Sequence, residues 1–245
     1  ATATLEGNST LAWEAATKLQ QHISPTIMRM PAWGTLQHYY TIPYYVAAKL
    51  SMWDTILALP SPGNDLVYPK AIWHYARGMA FLAKHHLPDA QKEMDSLAIL
   101  ATDTTLPHLT IWNINTAADL VHIASKVLAA GIAIQQHDAT HATGLLQEAV
   151  AIEDHLNYNE PPDWFFSVRH HLGAVLLKAE KYKAAEAVYR ADLKTWRKNG
   201  WALMGLYNAL VLQHKNDEAK SIHTQFDEAW KYADIKINAS SDIAD

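Results

Sequence analysis

Small residues recur along the chain at a spacing that predicts pairs of antiparallel helices. A glycine or alanine is followed twelve residues later by an alanine at Gly78 and Ala90, at Ala130 and Ala142, and at Gly173 and Ala185. Small side chains let two helices approach closely, so each pair predicts one hairpin made of a helix A and a helix B. With nine glycines in 245 residues, the chain also favours helices over turn-rich sheets.

The segment around the third pair resembles the tetratricopeptide repeat. It carries the residues of that pattern at Leu172, Gly173, Leu176, Tyr182, Ala185, Tyr189, Trp201 and Gly205. Arg197 stands where the pattern usually has a proline. The resemblance implies an all-α fold, a right-handed superhelix of antiparallel helix hairpins.

The small residue of helix B, which we call the helix B marker, can be followed from the first hairpin to the last. It is Ala12, Ile56 (a larger residue in that place), Ala90, Ala142, Ala185 and Ala219. Its steps are 44, 34, 52, 43 and 34 residues. Two steps equal the 34-residue repeat, and the other three are longer by 10, 18 and 9 residues. The excess predicts three inter-repeat insertions, each between a helix B and the next helix A, and therefore all on one rim.

Three strings carry a narrower resemblance, Trp73–Gly78, Tyr158–Trp164 and Asn199–Leu203. They are similar to the C-terminal half of a largely uncharacterised bacterial tetratricopeptide-repeat family. The resemblance implies further helical repeats upstream. An apolar first helix, with Ala12, Ala16 and Leu19, also expects a neighbour. We therefore predict one helical-repeat domain over residues 1–237 that starts within a hairpin, followed by a polar tail over 238–245.

The amino-acid composition excludes several classes of partner and of chemistry. The net charge is −5 and the basic residues form no long stripe, so nucleic acid is excluded as a partner. The chain has no cysteine, which excludes disulfides, thiolate catalysis and cysteine-based metal sites. We expect no membrane span. The sequence leaves the cellular compartment undetermined.

Fourteen histidines raise the question of a metal site. His137 and His141 are four residues apart, but in this register they straddle a hairpin turn and do not share a helix face. His85 lies in the equivalent turn of the preceding repeat. No zinc-protease, phosphate-loop or serine-hydrolase motif occurs. The sequence therefore predicts no catalytic residue, metal or cofactor.

Candidate binding residues come from two places. In tetratricopeptide arrays the second, fifth, ninth and twelfth positions of helix A line the concave groove, which selects His38, Tyr75 and His170. The second and third insertions, together with the helix that follows them, add Trp112, Asn113, Asn115, Glu160, Trp164 and Arg169. Aromatic rings beside amides and carboxylates suit recognition of a polar ligand or peptide. The same residues could instead anchor their own loops and cap the next helix.

Two functions remain open at this point. The first is a module that binds a peptide, a protein segment or a neighbouring domain through the groove and the rim. The second is an enzyme or a metal- or small-molecule-binding protein with a pocket built from His38, His74, Tyr75, Glu160, Arg169 and His170. The fold class does not decide between them.

Overall fold

A computed structural model describes residues 1–243, and within them the chain is mostly helical. The helices are α1 (Thr2–Leu5), α2 (Ser9–Gln21), α3 (Gly34–Lys49), α4 (Trp53–Ala58), α5 (Val67–Ala83), α6 (Leu87–Ala101), α7 (Ala117–Gln135), α8 (Ala139–His155), α9 (Arg169–Lys178), α10 (Tyr182–Thr195), α11 (Gly200–Leu212) and α12 (Asn216–Ala229). Two short strands, β1 (Thr110–Ile111) and β2 (Asn115–Thr116), pair antiparallel. The all-α class is confirmed.

Consecutive helices pack in pairs, α5 with α6, α7 with α8, α9 with α10 and α11 with α12. Each pair also packs on the next one, through α5 on α7, α8 on α9 and α9 on α11. One hydrophobic cluster runs through the chain from Ala12 to Ala219. The helix B markers Ala90, Ala142 and Ala185 are fully buried in it. Close helix contacts therefore lie at the small residues that the sequence singled out.

The turns that end five helices share one backbone geometry. A non-glycine residue adopts a positive φ at Ser51, His85, His137, Glu180 and His214. The next residue then donates its N–H to a carbonyl five residues earlier, as from His86 to Phe81 at 2.9 Å. This bond satisfies a carbonyl that the end of the helix would leave unpaired. His85 and His137 therefore lie in hairpin turns, as expected from the repeat register.

A charge cluster links the two helices of the α5 and α6 hairpin. Glu93 of α6 accepts from Arg77 Nε at 2.8 Å and lies 2.6 Å from His74 Nδ1. Only 7% of Glu93 is exposed. Buried carboxylates need such partners because desolvation penalises an unpaired charge. His74 therefore packs between helices, and it does not line any of the three cavities described below.

The two ends of the chain are in contact. Asp234 accepts from the N–H groups of Ser9 at 2.6 Å and Thr10 at 2.9 Å, and so caps α2 from the far end of the chain. Trp201 Nε1 donates to Thr4 O at 3.0 Å. Helix α2 packs on α1 and α3, while its outer residue Leu11 stays 51% exposed. Helix α2 is therefore exposed at Leu11, while its N-terminus is bonded to Asp234.

Helix α7 is long and apolar enough to cross a membrane by length and composition alone. In this structure 67% of its apolar window is buried inside the protein. It packs on α5, α6 and α8. Its apolar character therefore matches its place as a core helix.

Candidate functional site

A cavity of about 240 Å³ lies between the first helices of successive pairs and the C-terminal segment. Helices α3, α5, α7, α9 and α11 all contribute to its wall. We call it the central cavity, and its defining residues are Tyr45, Lys49, Tyr75, Trp164, His171 and Ile243. Tyr75 is a predicted groove residue, and Tyr45 occupies the ninth position of the helix A that carries His38 at its second position. The structure therefore brings them onto one surface.

The predicted polar tail forms part of this wall. Ser240 is 1% exposed and Ser241 is 8% exposed. The Ser240 hydroxyl donates to His170 O at 2.8 Å and lies 2.7 Å from Tyr189 Oη. Ser241 Oγ lies 2.6 Å from His171 Nδ1. The tail is thus integrated into the helical domain, while its last two residues, 244 and 245, lie outside the described residues.

Lys49 holds the tail from the opposite side. Its Nζ donates to Ser240 O at 2.9 Å, lies 3.1 Å from His170 Nδ1 and sits 3.8 Å from the ring centroid of Trp201. Burial lowers the pKa of Lys49 to about 7, and the nearby carboxylate of Asp242 opposes that shift. The polar partners and the aromatic face replace the water that the ammonium loses.

A buried polar network continues behind Lys49. Asn199 Nδ2 donates to Asp192 Oδ2 at 2.9 Å and lies 2.7 Å from His170 Nε2. Burial and the neighbouring Lys49 lower the pKa of His170. The same two causes lower the pKa of His171 to about 3. Both imidazoles are therefore neutral near pH 7 and serve as hydrogen-bonding groups.

A second cavity, of about 570 Å³, lies beside the third insertion. We call it the insert cavity, and it is lined by Asn115, Glu160, Trp164 and Arg169 among the predicted site residues. Asn115 donates to Asp163 Oδ2 at 2.8 Å and to Asn157 O at 2.9 Å, which joins the second insertion to the third.

The two charged candidate residues of the insert cavity have separate partners. Arg169 donates to Asp154 at 2.7 Å and lies 3.9 Å from Glu153, whereas Glu160 accepts from Tyr158 Oη at 2.5 Å. Glu160 and Arg169 thus form no ion pair with each other within residues 1–243. Burial raises the pKa of Glu153 to about 8, although its bond from Val168 N–H favours the charged form.

A third cavity, of about 170 Å³, lies between α2, α3 and the insertions. It is lined by His38 and Trp112 of the predicted set. His38 is buried, and its Nδ1 lies 2.8 Å from Tyr68 Oη. Trp112 is 58% exposed, and its indole donates to Tyr39 Oη at 3.0 Å. Asn113 accepts from Thr110 Oγ1 at 3.2 Å and belongs to none of the three cavities.

The six residues proposed for a single pocket are therefore separated. His38 lines the third cavity, Tyr75 the central cavity, and Glu160 with Arg169 the insert cavity. His74 is engaged by Glu93, and His170 is buried behind the central cavity. Trp164 is the predicted residue that lines two cavities. Its ring lies 5.4 Å from that of Tyr45 and 5.7 Å from that of Tyr75.

Sequence reasoning missed Lys49, His171 and the tail. Lys49 is the last residue of α3, one place beyond the twelfth position of helix A, so the groove rule skipped it. Residues 238–245 were predicted to be a polar tail outside the helical domain, because no local sequence feature indicates that Ser240 is buried. A sequence signal was present, since Lys49 directly follows the apolar run Ile42–Ala48.

Within residues 1–243 no group of three or more histidine, cysteine or acidic side chains has the arrangement of a metal site. Comparison of the chain with family models, with curated proteins and with solved structures finds no match.

Proposed function

We propose that the protein is a tetratricopeptide-type helical-repeat module that binds a peptide segment in its groove. In this proposal the helix pairs form a right-handed superhelix over residues 1–237, and the central cavity is part of its concave face. The resemblance to the repeat and the pairwise packing of the helices support this arrangement. A peptide or a segment of another protein is then the natural partner.

The observation that carries the proposal is the docked tail. Residues 238–243 cross the helix ends, and the protein holds them by main-chain as well as side-chain bonds. Asn208 Nδ2 donates to Asn238 O at 2.8 Å, and Lys49 Nζ donates to Ser240 O at 2.9 Å. Main-chain bonds of this kind give affinity for any peptide, and pockets for alternate side chains give specificity. In this proposal the docked tail occupies the surface as a peptide would, in cis.

The contacts of the tail also indicate the partner's chemistry. The two serine hydroxyls are bonded to His170 O and His171, and the aliphatic Ile243 lies near the Gly131 backbone of α7. The preferred peptide thus carries two small hydroxyl residues followed after one position by an aliphatic residue. A partner with that pattern competes with the tail for the same surface.

A labelled peptide with the sequence of residues 236–245 tests the proposal. In the full chain, Ser240→Tyr places a ring at a position that is 1% exposed, so the cis tail is expelled while the helices remain. The short covalent connection gives the cis tail an effective concentration on the order of millimolar. We expect fluorescence anisotropy to show at least ~10-fold tighter peptide binding to the variant than to the wild-type chain.

Asn238→Tyr is the matched control, because the Asn238 side chain is exposed and the tail should stay docked. This chain should bind the peptide as weakly as wild type does. A peptide carrying the Ser240→Tyr change should bind none of the three chains. The proposal fails when the Ser240→Tyr chain keeps its helical circular dichroism and binds no peptide up to about 1 mM, the order of the effective concentration of the tether.

A further inference from the structure

The wall of the central cavity is rich in aromatic side chains. They are Tyr45, Trp53, Tyr75, Trp164, Phe166 and Trp201. The Trp164 ring is steeply inclined to two of the others, by 83° to Tyr45 at a centroid distance of 5.4 Å and by 59° to Tyr75 at 5.7 Å. The hydrogen bonds of the tail to His170 and His171 involve none of these rings. The aromatic surface therefore needs a separate explanation.

The same cavity carries a carboxylate. Asp242 of the tail lines it, is exposed, and accepts a hydrogen bond from Ser51 Oγ. Lys49 is near enough for its charge to interact with this carboxylate, yet the two form no ion pair within residues 1–243, and Lys49 Nζ donates to Ser240 O instead. A carboxylate beside an aromatic wall favours a positively charged ligand, because both attract a cation.

The wall already stabilises one ammonium group with aromatic rings. Lys49 Nζ lies 3.8 Å from the ring centroid of Trp201 and 5.9 Å from that of Phe166. Burial lowers the pKa of Lys49 to about 7, so at pH 8 this side chain is mostly neutral and opposes a second cation only weakly. Attraction between a cation and a ring is strongest where the cation is desolvated, as it is inside a cavity.

Size and hydrogen-bonding capacity narrow the cation. An apolar cavity of about 150 Å³ holds one benzene ring, so about 240 Å³ has room for a slightly larger molecule. A primary ammonium group has three donors that need acceptors, whereas a quaternary ammonium group presents only methyl groups. The mostly aromatic wall therefore suits a methylated ammonium group better than a primary one.

We infer that the central cavity binds a small free molecule with a trimethylated ammonium group, which contacts the rings of Tyr45, Tyr75 and Trp164 and is balanced in charge by Asp242. The tail must stay docked for this site to form, because Asp242 belongs to it. The site is thus distinct from the surface on which a peptide competes with the tail in the proposed function.

Three compounds test the inference. Choline carries the trimethylated ammonium group, 3,3-dimethyl-1-butanol has the same shape without the charge, and ethanolamine has the charge without the methyl groups. Each is titrated at pH 8 and constant ionic strength into the full-length, ¹⁵N-labelled chain, and the indole N–H resonances of the tryptophans are followed. We expect choline to bind about tenfold more tightly than either of the others, the order of effect of a desolvated cation on aromatic rings.

Asp242→Asn removes the charge and keeps an oxygen that can accept from Ser51. It should weaken choline binding about threefold and leave 3,3-dimethyl-1-butanol binding unchanged. Asp217→Asn is the matched control, because Asp217 is exposed and lines none of the three cavities. It should leave all three affinities unchanged. Both substitutions are at exposed positions, and the spectrum itself reports whether each variant is folded.

Equal affinity of the wild-type chain for choline and 3,3-dimethyl-1-butanol would overturn the inference, because the charge would then not be recognised. Ethanolamine binding as tightly as choline would contradict the role of the methyl groups, and an Asp242→Asn chain with unchanged choline affinity would contradict the role of the carboxylate. Absence of a saturable shift with choline would also refute the site. The outcome is separable from the peptide assay, since peptide binding to the Ser240→Tyr chain can fail while choline still binds wild type.

Discussion

The Tyr189 ring packs between two glycines. This contact predicts that a glycine-to-alanine substitution next to the ring destabilises the protein, whereas the same substitution at an uncrowded helical glycine stabilises it. A Cβ atom on Gly205 of α11 would lie 2.3 Å from Tyr189 Cζ, and one on Gly173 of α9 would lie 2.2 Å from it. The ring is fully buried, so it has no free side to move into. Gly144 of α8 has no atom within 4 Å of the equivalent position.

The magnitudes follow from two opposing terms. Glycine inside a helix is less favourable than alanine by roughly 0.5–1 kcal/mol, so Gly144→Ala should stabilise the protein by that amount. Gly205→Ala receives the same gain but overpacks the Tyr189 contact, which typically costs about 1–3 kcal/mol. We therefore expect the free energies of unfolding of the two variants to differ by about 1–3 kcal/mol, with Gly205→Ala the less stable.

Urea unfolding followed by far-ultraviolet circular dichroism measures this difference. A second background tests the cause, because Tyr189→Leu removes the ring that the new methyl group meets. In that background Gly205→Ala should recover most of the propensity gain, so the two changes should be strongly non-additive. Equal stabilisation by Gly144→Ala and Gly205→Ala in the wild-type background would refute the proposed contact between α11 and the Tyr189 ring.

Three further predictions use the same unfolding assay. Ala185→Leu adds three carbons at a fully buried helix contact and should destabilise by about 1–3 kcal/mol, whereas a change below roughly 0.5 kcal/mol would show that the helix pairing is misassigned. Burial lowers the pKa of His38 to about 4, so the unfolded state binds one more proton between about pH 6.5 and 4, and stability falls as pH falls. His38→Gln should reduce the slope of the unfolding free energy against pH by about 1.4 kcal/mol per pH unit. An unchanged slope would show that His38 does not contribute to the pH dependence. Asp234→Ala removes two hydrogen bonds from the N-terminus of α2, which Asn8 also caps, and should cost about 1 kcal/mol, while no loss would mean that these two bonds do not stabilise the contact between the chain ends.

The sequence by itself determined the helices and their pairing. Helix pairing depends on small residues at a fixed local spacing, and that spacing is visible at Gly173 and Ala185 without any tertiary information. The place of His85 in a turn followed from the same register. The positive φ of the turn residues could not be predicted from the sequence, because histidine, serine and glutamate occupy positions where glycine is the usual signal.

Only the tertiary structure decided which polar residues share a site. Lys49 meets His170, which is 121 positions away, and Ser240, which is 191 positions away, so no window of sequence contains the contact. Glu160 and Arg169 are close in sequence, yet Arg169 turns to Asp154 because the preceding helix brings that carboxylate within 2.7 Å. Helix pairing is set by local spacing, whereas burial of a lysine and docking of a tail are set by which helix ends the packing brings together.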